Sequence, residues 1–297
     1  MTTELPPSIF NDVVGPIMRG PSSSHSAAAA RIGLLVHDLC GGVPDHVVID
    51  YDTMGSLATT HTSQGTDIGL YGGLLGWTPD DQRIPGSPVA LREHGTSVEV
   101  RYPRLDDPHP NTYRIAVSRH GVRHDVVAIS TGGGMIEVVR LDGVDVRLFG
   151  DYAVTIVVAD DSGPDLRTAI EALDGVEGYD TAGRSPVLHL LLSRHAIDTT
   201  DLETVGGVRG VHRLRPVLPV ISRRDMSVPF HHASQLSPEE ELGRRPLSDW
   251  ALDYETARGG IDERHVLDTA IQLTEIMRRG VEAGLAGTEY QDRILGW

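Results

Sequence analysis

Gly20-Pro21-Ser22-Ser23-Ser24-His25-Ser26 runs directly into Ala27-Ala28-Ala29-Ala30-Arg31-Ile32, and this junction decides the reading of the chain. The alanine run, with Leu34, Leu35 and Leu39 behind it at helical spacing, predicts a helix over 26–39. Four hydroxyls and one imidazole therefore fall at a helix N-terminus, with Ser24 or Ser26 as the expected N-cap. Such an end presents backbone N–H groups without intrahelical acceptors and the positive end of the helix dipole, a setting that favours carboxylates and phosphates. A cap needs one hydroxyl. Pro21, the additional serines and His25 exceed that need, and the excess points to anion binding or catalysis.

Outward from this junction, His46-Val47-Val48-Ile49-Asp50 predicts a strand, so the chain opens in αβ order. The strand runs out into Tyr51-Asp52-Thr53-Met54-Gly55-Ser56-Leu57 and then the polar stretch Thr59-Thr60-His61-Thr62-Ser63-Gln64-Gly65-Thr66-Asp67. A helix is expected over 68–75, where Ile68, Leu70, Leu74 and Leu75 alternate with Gly69, Gly72 and Gly73, small residues that let a neighbouring backbone approach. Thr66 or Asp67 is its expected cap. Alternation of apolar residues then predicts strands around 98–102, 113–117, 126–129 and 136–139. Asp107-Pro108-His109-Pro110-Asn111-Thr112 reads as a turn, and Ser130-Thr131-Gly132-Gly133-Gly134 as a loop able to bring backbone N–H groups to an anion.

From Asp151 the pattern changes. Strands are expected over 152–158, 186–192 and 211–217, a helical stripe at Leu166, Ala169, Ile170 and Leu173, and a short helix over 201–205, close to the βαββαβ order of a ferredoxin-like unit. With its glycine turn after the first strand, this part resembles an ACT domain, an amino-acid-sensing module. Residues from Arg223 to about Gly260 read as a linker with short helical pieces, in which His231-His232 is solvated. Behind Asp262, the residues Val266, Ala270, Leu273, Met277 and Val281 form one apolar helical face, ended by Gly284 and Gly287. That face, and the apolar close Asp292-Arg293-Ile294-Leu295-Gly296-Trp297, are expected to be covered by another polypeptide.

Composition narrows the function classes. The 297 residues, 39% hydrophobic and 23% charged, suit a globular chain of two or three domains. The net charge of −16 argues against nucleic acid and anionic membrane surfaces as partners. No apolar run approaches the roughly 18 residues of a membrane span, and Met1 to Asn11 lacks the pattern of a signal peptide. A cytoplasmic location is expected. All 26 residues counted as lysine or arginine are arginines, so an internal Schiff base with pyridoxal phosphate is excluded. Cys40 is the only cysteine and is expected as a buried apolar thiol, which leaves no four-cysteine zinc site and no complete iron–sulfur cluster within this sequence. The serines lie in no Gly-x-Ser-x-Gly elbow.

The ordered set Gly20–Ser26, Gly55-Ser56, Gly65-Thr66-Asp67, Gly73-Leu74-Leu75-Gly76, His109-Pro110-Asn111-Thr112 and Gly132-Gly133-Gly134 resembles the β chain of iron–sulfur-dependent L-serine dehydratases. The resemblance covers roughly residues 8 to 145, and the ACT-like unit after it also occurs in that family. The last ~50 residues look like the opening helices of the family's α chain, without the part that carries the cluster cysteines. It implies an α+β fold: a serine dehydratase β-type domain related to the allosteric substrate-binding domain of phosphoglycerate dehydrogenases (1–148), an ACT-like ferredoxin-fold domain (149–221), a linker (222–260) and a helical segment (261–297). It also implies a β subunit whose cysteine-bearing α-chain partner ligates a [4Fe–4S] cluster, with no metal ligand in this chain. The iron would act as Lewis acid on the substrate hydroxyl while a base removes the proton beside the carboxylate, giving an enamine and then a 2-keto acid and ammonia.

By matching position, His25 is the expected acid–base imidazole, and Ser22, Ser23 and Ser24 line the substrate site. Gln64, Gly65, Thr66, Asp67, Asn111 and Thr112 complete the expected substrate-binding set. Where the family reads Gly-His-Gly-Thr-Asp, this chain has Ser63-Gln64-Gly65-Thr66-Asp67, so a second histidine of the family is replaced by a side chain that takes no proton. His61, three residues earlier, is the expected substitute. The change keeps other substrates open, cysteine or another β-substituted amino acid among them, and a non-catalytic regulatory subunit that binds an amino acid is the alternative from a different class.

Overall fold

The structure is a computed structural model that describes residues 6–221, 226–236 and 245–287. The alanine run forms α1 (Ala28–Leu39), whose first residues are completely buried. It is entered through a π-helical turn, Ser23–Ala27, preceded by Ser22 in extended conformation, and no serine side chain caps either element. The expected caps at Ser24 and Ser26 are therefore absent: the turn continues smoothly into α1, so the serine hydroxyls are left for other partners.

After α1 come β1 (His46–Asp50), the single turn α2 (Leu57–Thr60), α3 (Thr66–Leu74) and α4 (Ser87–Glu93). The strands β2 (Ser97–Arg101), β3 (Thr112–Arg119), β4 (Val122–Gly132), β5 (Met135–Leu141) and β6 (Val144–Leu148) follow. They make a six-stranded sheet in the order β2-β1-β3-β4-β5-β6. Only β1 and β2 run parallel, joined by the helical crossover, and the remaining pairs are antiparallel. The carboxyl ends of β1 and β2 consequently lie beside the start of β3 and the end of β4, the edge at which α/β sheets place ligands.

The predicted glycine packing holds. α1 and α3 lie so close that a Cβ added at Gly33 would sit 2.9 Å from the Gly73 Cα, and one at Gly73 would sit 2.7 Å from the Leu34 nitrogen. At Gly69 an added Cβ would strike the Ser26 carbonyl. The cap of α3 differs from expectation: Gly65, at φ 76°, occupies it, because neither Thr66 nor Asp67 can enter the helix from that left-handed conformation without strain.

A four-stranded antiparallel sheet follows, built from β7 (Ala153–Ala159), α5 (Pro164–Glu171), β8 (Val176–Gly183), β9 (Val187–Ser193), a 3-10 turn at Thr200–Thr204 and β10 (Val208–Leu214). The strand order β10-β7-β9-β8 is that of a split βαβ arrangement, with its second helix reduced to the 3-10 turn. Ile156, Leu190 and Leu214 join Leu35, Leu39 and Val138 in one buried cluster, so residues 9–221 form a single compact unit. Burying each such side chain contributes about 1.5–3 kcal/mol. The fold class is mixed α+β, as expected from the sequence.

The second unit joins the described residues up to Ser8 with those beyond Ser222. Residues expected as linker hold a 13-residue helix, α6 (Leu247–Gly259), whose Tyr254 hydroxyl donates to the Pro7 carbonyl at 2.9 Å and whose Arg258 Nε donates to the Pro6 carbonyl at 3.0 Å. Phe230 packs on Tyr254 at 5.0 Å between ring centroids. The side chains of His231 and His232 are exposed, as expected. α7 (Glu263–Ala286) begins at Asp262, whose carboxylate accepts from the His265 N–H at 2.7 Å, and it passes through Gly284 before ending at Gly287. Replacing Asp262 with alanine is expected to cost about 1 kcal/mol, read as a lower helix signal at 222 nm on heating. Leu267, Ile271, Met277 and Val281 on α7 are exposed. Asp292–Trp297 lies outside the described residues, and among the described residues no helix is long and apolar enough to cross a membrane.

Candidate active site

The loop after β1 is fixed by Asp52. Its carboxylate accepts from the backbone N–H groups of Met54 (3.0 Å), Leu105 (3.2 Å) and Asp107 (2.7 Å), and the Met54 and Asp107 donors hold its pKa below the ordinary value. This ties the 51–56 loop to the 103–107 segment leaving β2. The Ser56 N–H then donates to the Pro110 carbonyl at 2.9 Å, and its hydroxyl bonds to the Asn111 side-chain oxygen. Asn111 is thereby held by Ser56, while Thr112 is buried and donates to the His109 carbonyl at 2.7 Å.

His25, on the π-helical turn, lies between two hydroxyls: Ser22 Oγ is 3.0 Å from Nδ1, and Thr60 Oγ1 is 3.3 Å from Nε2. The Thr60 hydroxyl proton is committed to the Ser56 carbonyl at 2.7 Å, so towards His25 it can only accept. Nε2 therefore carries the proton of the neutral ring, and Nδ1 offers its lone pair to the Ser22 hydroxyl. Burial lowers the pKa of His25, which keeps the ring neutral at physiological pH.

His61, the residue after Thr60, is held differently. Its Nδ1 donates to Asp67 Oδ1 at 2.7 Å, and its Nε2 accepts from the Tyr102 hydroxyl at 2.7 Å. The Asp67 carboxylate fixes the tautomer, and its other oxygen takes the Thr62 hydroxyl at 3.0 Å. The ring packs 5.1 Å from that of Tyr51, which is completely buried and whose hydroxyl has no hydrogen-bond partner among the described residues. Gln64 turns its side chain to solvent while its carbonyl accepts from the Ser26 hydroxyl at 3.0 Å. Gly65 is buried, and Thr66 is fully buried beneath the loop.

The Gly132–Gly134 turn closes the other side. Ser130 Oγ donates to the Ser24 carbonyl at 2.7 Å and its N–H to the Asn111 carbonyl at 3.1 Å. Arg31, 3% exposed, donates to the Gly134 carbonyl at 2.5 Å, and burial pushes its pKa down to about 10. The structure thus brings the Ser22–Ser26 turn, His25, Thr60, Ser56, Asn111 and Ser130 into one hydrogen-bonded cluster, while His61, Asp67, Thr62 and Tyr102 form a second one that is joined to it through the Thr60–His61 peptide bond. Thr60, Ser130, Tyr102 and Asp52 are additions to the set read from sequence. The Ser56/Thr60 spacing of one helical turn was a usable signal for Thr60, whereas Tyr102 reaches His61 only through the β1–β2 pairing.

Burial also lowers the pKa of His189 and His212. Each is a group whose protonation is favoured in the unfolded chain, so none costs stability above the ordinary histidine value of 6.5 and each subtracts from it as pH falls below that value. The unfolding midpoint is expected to be flat above pH 7 and to drop between about pH 6.5 and 5, with the drop reduced in His212→Gln.

No family model matches the chain. It is 38% identical over 154 residues to the probable L-serine dehydratase β chain of Bacillus subtilis (strain 168), covering 52% of this chain and 69% of that one. It is 34% identical over 148 residues to the L-serine dehydratase β chain of Peptoniphilus asaccharolyticus, covering 49% of this chain and 66% of that one. The chain thus spans about two thirds of the length of each of these relatives. It belongs to the L-serine dehydratase β-chain family.

Proposed function

We propose that this chain is the β subunit of a two-chain, [4Fe–4S]-dependent L-serine dehydratase-like ammonia-lyase that converts a small β-hydroxy amino acid to a 2-keto acid and ammonia in the cytoplasm. The observation that carries the reading is the placement of a neutral, hydroxyl-flanked His25 on the Ser22–Ser26 turn of a chain in this family. Its own residues do not fit an iron–sulfur cluster: the sequence has one cysteine, and among the described residues no group of three or more His, Cys, Asp or Glu is placed to hold a metal. The cluster is accordingly assigned to a cysteine-bearing α chain, and the exposed apolar side chains of α7 are the surface proposed to meet it.

In this reading Ser22, Ser23 and Ser24 with their turn hold the substrate carboxylate, and His25 takes the proton beside it at Nδ1 once the Ser22 hydroxyl turns to the substrate. Loss of water gives an enamine, and hydrolysis of its imine tautomer releases ammonia. His61, oriented by Asp67, serves as the second acid–base group in place of the family histidine that Gln64 replaces, with Nε2 becoming available when the Tyr102 hydroxyl moves away. Asp67→Asn is expected to lower kcat by on the order of 10²-fold. Residues 149–221 are proposed as an ACT-type regulatory domain on the strength of their strand order.

Isolation of the tagged chain from its own cells without oxygen tests the assembly. A cysteine-bearing partner with about four iron and four sulfide per complex, as a cubane cluster requires, is expected. An isolated, iron-free chain that still binds an amino acid would replace this reading with the regulatory one.

A further inference from the structure

At the opposite end of α1 from His25, a cavity of about 540 Å³ opens between the C-terminus of that helix, the β3–β4 hairpin and β10. Arg119, His120, His124, His212, Arg213 and Arg215 contribute to its wall, where Asp38 is the one carboxylate among the described residues. In a chain with a formal net charge of −16 this is a local reversal of sign.

The pairing within the wall shows which groups are uncommitted. Arg215 and Asp38 neutralise each other at 2.6 Å, and Arg213 is engaged by Glu203 at 2.8 Å and by the Thr199 hydroxyl at 2.8 Å. His124 is taken by Asp142 at 2.8 Å, whose other oxygen accepts from the Asp125 N–H at 2.7 Å. Arg119 differs: among the described residues it has no carboxylate partner, only a 3.4 Å bond to the Cys40 carbonyl. It passes close over Gly42, where an added Cβ would be 3.0 Å from the guanidinium carbon, so the absence of a side chain at that position leaves room for its planar fork. His212 donates from Nδ1 to the Leu39 carbonyl at 2.9 Å, which leaves Nε2 without a protein partner among the described residues. The exposed His120 side chain likewise has none. Cys40, half-buried with its pKa pushed up to about 11 by burial, stays a thiol and adds no negative charge.

We propose that this cavity binds a small oxyanion, a phosphate or a metabolite carboxylate, with the Arg119 guanidinium fork and the His120 ring as donors. A guanidinium without a carboxylate partner presents two parallel N–H groups, the geometry that matches carboxylate and phosphoryl oxygens. The exposed His120 ring supplies a further N–H, which an imidazole carries in either protonation state. The inference is independent of the reaction assigned to His25, because none of these residues belongs to that cluster.

The test is the thermal unfolding midpoint of the full chain at pH 6.5, titrated with inorganic phosphate and separately with succinate, each against sodium chloride at matched ionic strength. A saturable rise with either anion is expected, since a ligand that binds only the folded state stabilises it in proportion to its occupancy, and the anion with the lower half-saturation names the class. Arg119→Gln is expected to abolish the rise, His120→Ala to weaken it at least several-fold, and Arg140→Gln, on an exposed arginine paired with Asp145, to preserve it. Should Arg119→Gln prove too unstable to titrate, His120→Ala alone decides. No rise up to 20 mM of either anion, or the same rise in His120→Ala and Arg119→Gln as in the unaltered chain, would overturn the proposal.

Discussion

Replacing His25 with alanine in the assembled enzyme is expected to lower turnover by about 10²–10⁴-fold, the range lost when a positioned acid–base group is removed. Stability is expected to change little, because the ring is only partly buried and its side-chain bonds are to two hydroxyls that can turn to water. In the unaltered enzyme the burial that lowers the His25 pKa sets the acid limb of the rate profile below the ordinary histidine value of 6.5. The neutral ring is the active base, so kcat is steady near neutrality and falls as pH drops through that midpoint. Steady-state keto-acid release across pH 5–8 measures both effects. Turnover that survives in His25→Ala with an altered substrate response would assign the chain a regulatory role instead.

Gly73→Ala is expected to carry the largest stability effect, a loss of about 3 kcal/mol, the upper part of the range for overpacking. An added methyl there meets the backbone of α1 at the Ala30 carbonyl and the Leu34 nitrogen, and neither can rotate away as a side chain would. Relief requires α1 and α3 to separate. The Ser22–Ser26 turn is continuous with α1 and the 56–67 loop with α3, so separation also loosens the Ser26–Gln64 bond and the approach of Thr60 to His25. The denaturant midpoint of Gly73→Ala should fall, with kcat falling alongside it.

The elements that the sequence made legible are those whose pattern is strong within a few residues. The alanine run of α1, the short apolar run of β1, the alternation in β3 and the glycine spacing of α3 are each readable. The edge strand β8 was missed because Val176–Gly183 contains two glycines and is largely exposed, which leaves little apolar alternation to read. α6 reads as linker in the sequence because its apolar residues show no single stripe: its buried side chains include Glu255 and Arg258. At the candidate site, the chemistry-bearing residue types could be listed from local motifs, but their pairing could not. Asp67 was expected to cap a helix and instead orients His61, and Ser26 bonds to a carbonyl 38 residues away. The second depends on how α1 packs on α3, a long-range contact that no local pattern encodes, and the first on the turn between α2 and α3 through the left-handed Gly65.

The most direct measurement of the central claim is the release of 2-keto acid and ammonia from L-serine, L-threonine and L-cysteine by the complex isolated anaerobically through this chain. Equimolar pyruvate and ammonia from L-serine, abolished in the His25→Ala complex, is the result predicted. Amino-acid binding without keto-acid release from any of the three by an intact, iron-loaded complex would contradict it.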